Sequence, residues 1–121
     1  MTRNENILKL RPEITIDNTK TSLSEENFQN LTLRPILKLQ NELILKLTNK
    51  HLTKFILDKS KDESIKIIET RLAEQVIKQQ LIGLTIGLFT AEEFEYYILN
   101  QSSINKRIGQ LIIQRVCSQI L

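Results

Sequence analysis

Leu33, Leu37, Gln40, Ile44, Leu47 and His51 recur at a 4-3-4-3-4 spacing, with Phe55 one step further on. That is the seam one helix presents to another, and a chain built around it is committed to helix-on-helix packing. Only three Gly and two Pro interrupt the 121 residues, which leaves little room for a turn-rich β-sandwich or a glycine-cradled nucleotide site. Leu, Ile, Phe and Val make up 43 residues, far more than a disordered chain carries, so a real core follows. The length suits one domain without disulfides or metals.

The reading along the chain is all-α: four to five helices, with an extended N-terminal arm over 1–23 and a single helical domain over 24–121. Pro12 sits inside Ile7–Ile16, a β-branched and apolar run that reads as a short edge strand or a strap over the helices. Ser22 and Glu25 fit a capping box, and Pro35 suits either the first turn of a new helix or a kink. Leu39, Leu43 and Leu45 widen the seam helix's apolar surface and predict contacts on more than one side. After the charged break at Asp58–Asp62, one helix carries Ile65, Ile68, Leu72 and Val76 on one face. It continues into a nearly all-apolar stretch around Gly83 and Gly87. Those glycines predict close approach of a neighbouring helix, or a left-handed stop at Gly87. Thr90 and Glu93 form the clearest cap in the chain; a short helix to about Leu99 follows, burying Phe94, Tyr97 and Ile98. The last helix places Ile108, Leu111, Ile112, Val116 and Ile120 on one arc.

Candidate chemistry is sparse. His51 is the only histidine, while imidazole metal sites normally take two or three. Its place on the apolar seam reads as structural. Glu92, Glu93 and Glu95 are explained by the helix dipole in a first turn. Cys117 lies among Ile113, Val116 and Ile120 and reads as a packed thiol, and a lone Cys points to a reducing compartment, hence the cytoplasm. Met1–Glu13 has no signal-like apolar run, and the longest uncharged stretch, Gln79–Ala91, is too short to cross a bilayer. No catalytic residue, metal or cofactor is expected.

The net charge of +3 gathers on the seam helix, where Arg34, Lys38, Lys46, Lys50 and Lys54 oppose Glu42 alone. A solvated helix face explains such a stripe better than phosphate recognition, which usually needs a larger excess and more aromatics than 5%. The leading expectation is a homo-oligomeric protein-interaction module, most simply a two-fold dimer, with Leu33, Leu37, Gln40, Ile44, Leu47 and His51 at the interface. Polar Gln40 and His51 would then fix register between paired helices. The alternative is a small nucleic-acid-binding or regulatory protein using the basic face of 34–54.

Phe28–Asn30, Leu33–Asn41, Ile86–Thr90 with Glu92 and Glu93, and Asn105–Arg107 carry a resemblance over about residues 28–115. In these segments the chain resembles a family of short bacterial proteins of unestablished function, to which the name glyoxalase is often attached. The resemblance implies a small helical protein, and the name implies a metal-dependent lyase. Such enzymes bind their metal through His and Glu side chains on a mixed α/β scaffold, and one histidine with no convincing strand succession leaves neither the ligands nor the scaffold. No catalytic residue carries over.

Overall fold

The computed structural model describes residues 2–11 and 24–121, of which 86% are helical and none is in a strand. Helix α1 spans Arg3–Leu10 and α2 spans Ser24–Phe28, continued by a π-helical turn over Gln29–Leu33 and then α3 over Arg34–Leu39. Helices α4 (Asn41–Ile56), α5 (Lys61–Leu72), α6 (Gln75–Ile86), α7 (Ala91–Leu99) and α8 (Gln101–Ile120) complete the order. Seven of these helices have six residues or more, so the four to five expected were too few. Helix α8 is the central element, with α4, α5, α6 and α7 all packing on it. No helix among the described residues is long and apolar enough to cross a membrane.

Where the arm was expected to be extended, its described part is helical. Thr2 caps α1 by accepting from the Glu5 amide at 3.2 Å, and the helix ends at Leu10, two residues before Pro12 in the sequence. A residue before proline is pushed out of the helical region, and Arg11 is extended at φ −73°, ψ 135°. The rest of the arm, with the Ser22 cap, lies outside the described residues.

Pro35 also acts on what precedes it. Lacking an N–H, it leaves the carbonyl four residues back without a donor and crowds it, and the chain answers with one wider turn. The Arg34 amide accordingly donates to Gln29 O, five residues back. Helix α3 ends at Leu39, and Gln40, at φ −89°, ψ 5°, joins it to α4, with the Gln40 amide donating to Ile36 O and the Ile44 amide to Gln40 O across the junction. The buried stripe of α4 is Ile44, Thr48 and Leu52, while Leu47 and His51 are half-buried. Leu39 and Leu43, expected to meet a neighbour, are exposed.

Asp58, at φ 64°, turns the chain out of α4 in the left-handed region that Asp enters more readily than most residues. Ser60 then caps α5, accepting from the Glu63 amide at 3.2 Å. A single helix was expected from here to beyond Val76. The chain instead breaks at Ala73–Glu74, which lets α6 turn Ile77, Leu81 and Thr85 inward and leaves Val76 exposed. No breaker residue marks that break; tertiary packing overrides local propensity. Gly87 ends α6 in the right-handed region, not the left-handed one, and a Cβ at Gly83 would meet nothing within 4 Å. Close helix approach is therefore not what Gly83 provides.

The Thr90 capping box forms as expected. In α7 only Tyr97 is buried; Phe94 is 40% and Ile98 56% exposed, against expectation. Tyr97 Oη donates to Asn105 Oδ1 at 2.7 Å and ties α7 to α8. On α8, Ile104, Ile108, Leu111, Ile112 and Val116 face the core. Phe28, Phe89, Tyr96 and Tyr97 pack in edge and tilted pairs at centroid distances of 4.9–5.7 Å, closing the corner between α2 and α7.

Candidate functional site

The densest polar cluster is where α1 grips the α6–α7 turn. Carbonyls after the last turn of a helix lack intrahelical donors and carry partial negative charge. Two arginines supply what is missing. Arg3 donates to Phe89 O at 2.7 Å and to Gly87 O at 3.1 Å, and Arg11 Nη2 donates to Leu88 O at 2.9 Å. Asn4 joins the same turn, accepting from the Ala91 amide at 3.0 Å and donating to Glu92 at 3.1 Å.

Glu93 is the hub. Its carboxylate forms a bidentate pair with Arg11, one arm of it at 2.7 Å, and accepts from Thr32 Oγ1 and the Thr90 amide, each at 2.8 Å. Burial raises the carboxyl's pKa, but the hydrogen bonds from Arg11, Thr90 and Thr32, with the arginine charge, outweigh it and hold the group below its ordinary value. Arg11 Nε is buried without a partner among the described residues. This arrangement ties three separated stretches together, and every oxygen of Glu93 is occupied. It is a clasp, with no lone pair left for proton transfer.

The expected interface residues fall elsewhere than expected. Leu33, Leu37 and Ile44 are buried within the single chain, at 0–1% exposure, and belong to its core. Gln40 donates Nε2 to Leu84 O at 2.9 Å, bonding α4's start to the end of α6. Leu47 and His51 are half-buried on α4, and His51 has no hydrogen-bond partner among the described residues. All six are thus buried or half-buried within the one chain.

Arg34, Lys38, Lys46, Lys50 and Lys54 are all exposed. Lys46 pairs with Glu42 at 3.2 Å, Lys54 lies over the Phe55 ring, and Lys50 has no ion-pair partner among the described residues. Lys46, Lys50 and Lys54 follow one line along α4, bracketed by exposed Leu43 and Leu57. Arg34 and Lys38 stand apart on α3. Opposite in sign is α7, whose exposed surface combines Glu92 and Glu95 with Phe94, Ile98 and Leu99. Leu99 is 83% exposed, the largest value among the big apolar side chains of the described residues. Sequence patterning assigned Phe94 and Ile98 to the core with Tyr97 because Phe94 lies three and four residues before the other two; how little covers α7 is not a local property.

Cys117 is half-buried on α8, and burial, with the Glu69 carboxylate, pushes its thiol up. No three of the His, Cys, Asp and Glu side chains among the described residues come together as a metal-binding group. The ligand set that a metal-dependent lyase needs is not found among them. No family model, curated protein or solved structure matches the chain.

Proposed function

We propose that this chain is a non-catalytic association module that pairs with a second copy of itself through the outward faces of α4 and α7. The observation that carries the reading is the match between two exposed faces. One bears Leu43, Lys46, Lys50, Lys54 and Leu57; the other bears Glu92, Glu95, Ile98 and Leu99. Apolar burial supplies the drive, at about 25 cal/mol per Å². Exposed charge pairs, each under about 1 kcal/mol, choose the partner and its orientation more than they strengthen it. In a two-fold pair each α4 meets the other copy's α7, so the contact occurs twice and closes.

The side chains that might do chemistry are otherwise engaged. Glu93 accepts from four donors, burial pushes the Cys117 thiol up, and His51 has no acid or nucleophile bonded to it among the described residues. A single cysteine, which cannot form an internal disulfide, suits the cytoplasm. Multi-angle light scattering tests the reading: a mass rising toward twice the 14.1 kDa of one chain supports it. One chain's mass at every micromolar concentration ends it.

A nucleic-acid backbone is the second reading, favoured by the four-residue spacing of exposed Lys46, Lys50 and Lys54. Binding of that kind falls steeply with salt, with a log–log slope of about −0.9 per phosphate contacted on duplex DNA. A flat salt dependence would remove it.

A further inference from the structure

Between α3 and α8 lies a cavity of about 510 Å³, within the range of small-molecule sites, with Arg34 and Arg115 in its wall. Arg34 donates Nε to Asn30 Oδ1 at 3.1 Å, and both its terminal nitrogens are without partners among the described residues. Half-buried Arg115 donates Nη1 to Asn41 Oδ1 at 3.3 Å. Asn41 and Gln119 exchange two amide hydrogen bonds at 2.8 Å, and Gln119 also donates to Arg115 O at 3.1 Å. The arginine is thus braced in place by its neighbours. Two ion pairs occur among the described residues, Arg11–Glu93 and Lys46–Glu42, and neither reaches this cavity. Burial, then the charge of Arg34, pull the Arg115 guanidinium below its ordinary value. Two like charges therefore share one hollow with no counter-ion among the described residues, and arginine does not shed its proton to relieve the repulsion. An anion does.

We propose that the Arg34–Arg115 cavity holds a phosphate group, either free phosphate or that of a small phosphorylated molecule. Each guanidinium is a fork that satisfies two oxygens; two forks match a phosphate's several oxygens, whereas a carboxylate fills one. Gln114 and Ser118 add polar groups to the wall, and Leu37 and Leu111 offer apolar surface to an organic portion. The site is on α3 and α8, so it stands or falls independently of pairing through α4 and α7.

Isothermal titration of the full chain at low ionic strength, with inorganic phosphate, adenosine monophosphate and acetate as probes, tests the proposal. Phosphate is expected to saturate one site per chain, and acetate to bind about tenfold more weakly or worse. Arg34→Gln and Arg115→Gln should each cut phosphate affinity about tenfold or more, while Lys106→Gln on α8 leaves it unchanged. Tighter binding of adenosine monophosphate than of phosphate assigns an organic phosphate; equal binding assigns the free anion. Arg34 is exposed, so its variant keeps the fold, and a thermal melt verifies that. Absence of saturable phosphate and nucleotide binding, or unchanged affinity in both arginine variants, overturns the proposal.

Discussion

Glu93 shows how one residue holds distant parts of a chain together. Its capping role is local and readable from Thr90, three positions back. Its bond to Arg11 spans 82 residues and leaves no trace in either neighbourhood. Glu93→Gln keeps the size and part of the cap but leaves a buried guanidinium without its counter-charge. Chemical denaturation should report a loss of about 2–3 kcal/mol, toward the lower end of values for broken buried pairs. The carboxyl's pKa is depressed on folding, so its contribution is present above the ordinary carboxylate value near 4.5 and is lost as pH falls through the folded value. Wild-type stability should therefore decline below about pH 4.5, and the Glu93→Gln variant should lose part of that slope. Equal slopes in the two proteins would contradict the clasp.

Among the elements, what was legible is what has a local cause. The α7 cap, the Asp58 break and the inward arc of α8 follow from hydrogen-bonding chemistry and period within a few residues. The division between α5 and α6 does not, because Ala73 and Glu74 are both compatible with helix and the turn exists to bring Ile77 and Leu81 onto the core. Gly83 is the clearest misreading: its flexibility costs the helix, and no neighbour among the described residues approaches close enough to need the missing side chain. Gly83→Ala should therefore raise stability by about 0.5–1 kcal/mol, seen as a higher thermal midpoint. A lower midpoint would mean that a contact at this face has been overlooked. The six-residue seam turns inward within the single chain: Leu33, Leu37 and Ile44 are buried and Gln40, Leu47 and His51 half-buried. Gln40→Leu should cost about 1 kcal/mol for the bond to Leu84 O and leave subunit mass unchanged, as measured by melting and light scattering together. A change in mass would return Gln40 to an interface.

At the scale of the whole molecule, helix content was readable from period alone, but the division of apolar surface between inside and outside was not. Ile98 and Ile108 look alike in sequence; one lies on a short outer helix and the other on the central one, at 56% and 0% exposure. That difference moves the expected interface from the α3–α4 seam to the outer faces of α4 and α7, and a charge exchange between those faces tests the move most directly. Lys50→Glu and Glu95→Lys should each lower the dimer fraction measured by light scattering at fixed micromolar concentration, because each places like charges face to face. The double variant, in which every exchanged pair regains opposite sign, should recover the wild-type mass. Dimer lost in both single variants and not regained in the double, or monomer in the wild type itself, would contradict pairing of α4 with α7.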